Sequence, residues 1–213
     1  RVKKEPEMKR HSLPVLLAAL AFSLPCQAEG SGRAQEIQRV VDGLNSANPV
    51  DRIVAFEEAF EKGDATIRQI ALDTVFTGND LTLHSIAVAQ ILSTKASYVM
   101  RISEVLDSNR TRVAEKSAGS FDYRIVNFDS DSGDFLSFSS HSRLDRDTKQ
   151  PIAHLGNFAG DRMTLAVNLE DMYNLGGLVC HADMRLSETP GVMAGTMTCG
   201  GEGNYRVETD LRR

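Results

Sequence analysis

The sequence predicts an α+β protein, an N-terminal segment of antiparallel helices followed by an antiparallel β-sandwich or small barrel. Three observations carry this expectation. Apolar residues recur at helical spacing between residues 33 and 106, they alternate in short runs after Gly119, and two runs between Leu178 and Cys199 define a hairpin whose register follows from hydrophobicity alone.

The N-terminus is set aside first. Met8-Lys9-Arg10 precedes the apolar run Leu13 to Leu24, and Pro25-Cys26-Gln27-Ala28 follows it. A basic start, an apolar centre and a small-x-Ala site before Glu29 form the pattern of a secretory signal peptide. The run is too short to span a hydrocarbon core of about 30 Å. Residues 1–28 are therefore read as upstream sequence plus signal peptide, with the periplasm or the medium as destination and no integral membrane segment after cleavage. Lipidation at Cys26 is disfavoured, because Leu24-Pro25 stand where small residues are required.

Removing residues 1–28 takes five basic and two acidic side chains from the 24 and 29 of the whole chain, which leaves a balance of about −8. Partners that need clustered Lys and Arg, nucleic acid and anionic membrane, are excluded on that ground. Cys26 leaves with the signal, and the remaining two cysteines of an exported protein are expected to form a disulfide.

In the helical half a shift of 16 residues superposes Arg52, Ala55, Phe56, Ala59, Phe60 and Asp64 on Arg68, Ala71, Leu72, Val75, Phe76 and Asp80. The next shift reaches His84, Ala87, Val88, Ile91 and Leu92. Apolar residues at i, i+1, i+4 and i+5 make one face of an amphipathic helix. The breaks at Asn48-Pro49, Gly63-Asp64 and Gly78-Asn79-Asp80 supply a stop for one helix and a cap for the next. GDATIRQIALDTVF and its neighbours resemble short HEAT-type repeats over residues 34–92, with 95–106 as a last, degraded helix, so 29–108 is read as a helical domain. The resemblance implies an interaction surface rather than chemistry. Arg52, Arg68 and His84 read as ordinary solvent-side positions.

The β half, 119–213, reads as seven strands near 121–128, 134–141, 151–158, 162–169, 178–186, 192–199 and 204–211, with a short helical turn at 170–175. In the hairpin LVCHADMRL and VMAGTMTC, Leu186 pairs with Met193, Met184 with Gly195, Ala182 with Met197 and Cys180 with Cys199. One face is then apolar, and directly paired cysteines are within disulfide reach. The wet face carries His181, Asp183 and Arg185 against Thr196 and Thr198, which makes these five the candidate binding residues.

Other chemistry is thinly signalled. Asp129, Asp131 and Asp134 in DSDSGD offer a weak calcium loop, but Gly133 and Asp134 stand where a third ligand and the glycine belong, and Ser140 stands where the bidentate acid belongs. A strand-joining turn is the preferred reading of the same residues, since Asp and Gly satisfy turn geometry without any metal. His141, His154 and His181 lie in or beside strands, without the convergent spacing that zinc requires. The sequence holds no Gly-x-Ser-x-Gly, His-Glu-x-x-His, Cys-x-x-Cys or phosphate-binding Gly-x-x-x-x-Gly-Lys, and Asn109-Arg110-Thr111 is a chance acceptor pattern. The expected function is a non-enzymatic binding protein of the bacterial cell envelope that recognises a protein partner. A glycan ligand is second, since the chain has no tryptophan for stacking. An envelope hydrolase is the alternative from another class, and it requires a deep polar cleft between the halves.

Overall fold

The computed structural model describes residues 28–107, 112–116, 119–139, 152–169 and 178–212. The apolar run 13–24, Asn109, Ser140, His141 and the turn expected at 170–175 lie outside the described residues.

Four helices come first: α1 (Ala28–Leu44), α2 (Pro49–Lys62), α3 (Ala65–Thr77) and α4 (Leu81–Thr94). Their starts follow the sequence signals. Asn48 accepts from Val50 N, Asp64 from Thr66 and Ile67 N, and Asp80 from Thr82 and Leu83 N, so the side chains satisfy backbone donors that a helix cannot satisfy itself. Of the positions superposed by the 16-residue shift, Phe56, Ala59, Ala71, Val75, Phe76, Ala87, Val88, Ile91 and Leu92 are buried.

Of the three positions read as solvent-side, Arg68 is exposed as expected, whereas Arg52 and His84 are engaged by neighbouring elements. Arg52 is not a free surface group. Its Nε and Nη2 donate to Asp80 Oδ2 (2.9 and 2.6 Å) and its Nη1 to the Ser46 carbonyl (2.8 Å), so it ties α2 to the capping residue of α4. Arg33 binds the capping Asp64 of α3 in the same way (2.6 Å). His84 Nε2 donates to the Val75 carbonyl (2.8 Å), and its ring lies against Phe76. The Arg52 guanidinium, followed by the Leu83 amide, holds the Asp80 carboxyl below its ordinary value. We expect Arg52→Ala to cost about 1–2 kcal/mol in chemical denaturation, the loss of a charge-assisted bond set. A depressed carboxyl stabilises the fold above its unfolded pKa and stops doing so as pH falls through the folded value. The difference between wild type and variant should therefore shrink below pH 3.8, and a gap that stays constant into acid would exclude the Asp80 pair as its source.

The remaining elements are β1 (Ser97–Val105), the short α5 (Arg112–Lys116), and β2 (Ser120–Val126), β3 (Asp134–Ser139), β4 (His154–Ala159), β5 (Arg162–Asn168), β6 (Val179–Leu186), β7 (Val192–Cys199) and β8 (Gly203–Asp210). Each strand pairs antiparallel with the next, and β8 pairs back to β1, which closes a barrel rather than a sandwich. Two expectations are corrected here. Residues 97–105 are a strand, not a last helix, and the barrel has eight strands where the sequence predicts seven. Tyr98 and Met100 point inward and Val99 and Arg101 outward, the two-residue alternation of a strand with one buried face. The helical half accordingly ends at Thr94, and the β half begins well before Gly119.

The hairpin register holds at all four predicted pairs. Cys180 and Cys199 form a disulfide, their Cα atoms 4.1 Å apart. The barrel interior is filled by Tyr98, Tyr123, Tyr205, Ile125 and Phe135 with Met100, Met163, Met184, Met193 and Met197, all fully buried. Ser137 and Thr209 are paired within it: Ser137 Oγ donates to the Ala166 carbonyl (2.7 Å), and Thr209 Oγ1 joins the Tyr123 hydroxyl to the Val99 carbonyl. Burial raises the Tyr123 phenol above its ordinary value and keeps it neutral. Helices and barrel share one continuous core, and α4 runs directly into β1.

Candidate functional site

The candidate site is built on the outer face of β5, β6, β7 and β8, where the ladders align side chains in rows. One row runs Arg162, Arg185, Ala194, Glu208; the next Thr164, Asp183, Thr196, Arg206; the third Ala166, His181, Thr198, Asn204. Arg162 and Arg185 face each other directly, an arrangement that repels unless neutralised. Each has its own carboxylate. Arg162 makes a forked pair with Asp183 (2.8 and 2.5 Å), and Arg185 reaches Asp161 (3.1 Å). The Arg162 guanidinium holds the Asp183 carboxyl below its ordinary value. Thr198 Oγ1 donates to Asn204 (2.8 Å), and Arg206 pairs with Glu104 (2.9 Å).

Four of the five candidate residues, His181, Asp183, Thr196 and Thr198, line a single open hollow of about 470 Å³ together with Leu155, Thr164, Leu165 and Ala182. Arg185 lies one row away, tied to Asp161 and outside the hollow lining. Leu155 is 79 % exposed, an apolar side chain in water at the edge of a polar depression. Sequence reasoning misses both Leu155 and Thr164. Both face outward by strand alternation, but setting β4 and β5 beside the hairpin requires the fold. The ladder between β4 and β5 holds only three registered pairs, Asn157 to Ala159 against Thr164 to Arg162. The seam between these strands is therefore short beside Leu155.

His154 and His181 stand on β4 and β6, on either side of β5, and the third histidine, His141, lies outside the described residues. Burial first, and then the neighbouring His181, push the His154 imidazole below its ordinary value. Its Nε2 is buried without a hydrogen-bond partner.

Asp129, Asp131 and Asp134 are not brought together as a cation set. Asp129 Oδ1 accepts from the amides of Asp131 and Ser132, which lowers its pKa, and Asp134 Oδ1 accepts from Asn157 Nδ2 (2.9 Å). Two of the three carboxylates are thus spent on building the turn between β2 and β3. Among the described residues no group of three or more His, Cys, Asp or Glu side chains is placed to hold a metal ion.

Two other concavities frame the choice of site. A groove of about 350 Å³ between α1, α2 and α3 has Val40, Val54 and Ala55 in its lining and Glu36, Arg39, Asp51 and Glu58 among its charged groups. The junction of the two halves holds a hollow of about 320 Å³ between α4 and the turns β2–β3 and β4–β5. Ile86, Ala89, Phe128 and Phe158 contribute to it, and Asp131 is the one ionisable side chain among its described lining residues. That is not the deep polar cleft a hydrolase between the halves requires. Comparison with known protein families, with curated proteins and with solved structures finds no match to this chain.

Proposed function

We propose that this chain is an exported, non-enzymatic binding protein of the bacterial cell envelope, and that it recognises a protein partner through the outer face of β4–β7. The observation that carries the reading is the exposed Leu155 beside a hollow whose His181, Thr164 and Thr196 make no side-chain hydrogen bond among the described residues. Protein-binding surfaces pair an apolar anchor with surrounding polar groups that have hydrogen bonds to offer. The flanking ion pairs Arg162–Asp183 and Arg185–Asp161 hold the rim in place and leave it nearly neutral. An enclosed disulfide suits an oxidising compartment. No helix among the described residues is long and apolar enough to cross a membrane. Among the described residues, Met100, Met163, Met184, Met193, Met197, Tyr98, Tyr123 and Tyr205 lie inside the barrel and the paired Arg162 and Arg185 outside, the reverse of a lipid-facing barrel.

The experiment is crosslinking capture from envelope extract with residues 29–213 as bait, followed by mass spectrometry of the eluate. A stoichiometric protein captured by wild type should be lost with Leu155→Asp and weakened at least tenfold with Arg185→Glu, since a charge forced into a desolvated contact costs over about 1.4 kcal/mol. Capture that survives both but fails with Val54→Asp would move the site to the helical groove. A protein-free eluate would turn the reading to a glycan, for which the hydroxyl and imidazole groups of the hollow are suited, tested by calorimetry with envelope glycan fragments.

A further inference from the structure

The strand registers show how the hollow on β5–β7 is made. Leu165 pairs with Ala182 and Ala182 with Met197, a row whose side chains are all buried in the barrel. Only backbone faces outward above this row. The row on one side carries Thr164, Asp183 and Thr196, and the row on the other carries His181 and Thr198. The hollow is therefore a trough that runs across the strands, floored by Leu165 and Ala182 and walled by side chains two residues apart along each strand. Leu155 stands at its β4 end, beyond the last registered pair of β4 and β5, Asn157 with Thr164.

Size and chemistry limit what such a trough accepts. Its walls originate about 6.6–6.8 Å apart, twice the rise per strand residue, whereas a helix with its side chains is about 10–12 Å across. A helix would ride on the wall tops, while a single extended chain lowers alternate side chains between them. From β4 to β7 is three inter-strand spacings, about 14 Å, the reach of about four extended residues. Hydrogen bonding points the same way. The Thr164 and Thr196 hydroxyls and the His181 imidazole both donate and accept, and none makes a side-chain hydrogen bond among the described residues. An extended segment brings a free backbone donor and acceptor with each residue, groups that a helix has already spent on itself. Charge adds a third limit. Asp183 is the one carboxylate in the described lining, and both of its oxygens are held by the Arg162 fork. Arg185, in the next row, is paired with Asp161.

We propose that the trough holds its partner as a single extended, uncharged peptide segment of about four residues laid across β5, β6 and β7. An apolar side chain of the segment rests on Leu155, and its backbone groups bond to Thr164, His181 and Thr196. This inference rests on the partner reading and adds the form in which the partner is presented. The partner offers a loop or tail, not a helix and not a flat folded surface.

The test pans two phage libraries against the full chain, one of linear random peptides and one of randomised helices on a folded scaffold, and measures the selected sequences by calorimetry. The linear library should yield sequences with one apolar residue followed by uncharged ones. Leu155→Asp should weaken them at least about tenfold, and Thr196→Val, which keeps the shape of the side chain and removes its hydroxyl, by about three- to tenfold. Methylating the backbone nitrogen of a peptide residue whose own side chain is replaceable by alanine should cost as much as Thr196→Val, a loss that side-chain recognition alone does not produce. Leu155-dependent binders that come only from the helical library overturn the proposal, as do binders that tolerate every backbone methylation. It also falls if neither library gives a Leu155-dependent sequence. The envelope capture then separates the two readings: a captured protein still lost with Leu155→Asp leaves the partner reading standing on a folded surface, whereas a protein-free eluate with binding of glycan fragments withdraws both.

Discussion

Replacing Cys180 and Cys199 together by alanine is expected to destabilise the protein by about 3 kcal/mol, the loop-closure value for a bridge that spans 19 residues. For a chain of this size that corresponds to a fall in Tm of roughly 6–12 °C. Both cysteines are buried on the inner face of the barrel, with relative exposures of 0 % and 2 %. The variant therefore also loses packed sulfur atoms, which makes the loop-closure value a lower bound. Thermal unfolding followed by circular dichroism, with and without reductant, separates the contributions. Reductant should lower the wild type toward the variant and leave the variant where it is. A wild type that melts at one temperature in both conditions, with the variant matching it, would mean the bridge adds nothing to the fold.

The second large effect is expected at Gly133. Its φ of +75° lies in the left-handed region, and a Cβ there would fall inside the van der Waals envelope of the Phe158 carbonyl oxygen and 3.0 Å from its carbonyl carbon. That carbonyl belongs to β4, and Phe158 N in turn donates to the Gly133 carbonyl (2.8 Å), so the turn cannot back away without breaking its seat on the barrel. We expect Gly133→Ala to cost at least about 3 kcal/mol, strain and steric conflict together. Gly160 is the internal control. It has φ +63°, but nothing lies within 4 Å of the place a methyl group would take, so Gly160→Ala should cost only the left-handed penalty of about 1–2 kcal/mol. Urea midpoints of the two variants decide the matter, since equal losses would show that the approach of Phe158 is not what excludes a side chain.

The two regions differ in how far the amino-acid sequence exposes them. The hairpin of β6 and β7 is legible because its information is local: alternation, a turn and two cysteines agree on one register. Helices α2, α3 and α4 are legible for a similar reason, since each carries its own cap and apolar face. β1 is hidden because Tyr98, Val99, Met100 and Arg101 acquire their inward and outward roles from β2 and β8, and β8 lies over a hundred positions downstream. After a regular series of helices, period alone favours one more. Arg52 is misread for a related reason. Its spacing places it on a helix surface, while its partner Asp80 stands 28 positions away at the start of another helix. The candidate hollow is half legible. His181, Asp183, Thr196 and Thr198 come from the hairpin, whereas Leu155 and Thr164 arrive only when β4 and β5 take their places beside it.

The pairing of β1 with β8 also bears on how the protein is made. Ser103 Oγ and the Arg206 carbonyl meet across a sequence separation of 103, so barrel closure is a long-range event in a molecule whose helices form by short-range contacts. Until β8 arrives, β1 and β7 each present an open strand edge, the feature through which chains pair with the wrong neighbour. At translation rates of about 5–20 residues per second, β1 waits roughly 5–20 s for its partner. Aggregation during synthesis should therefore be governed by the open edges of β1 and β7 more than by any surface of the finished barrel.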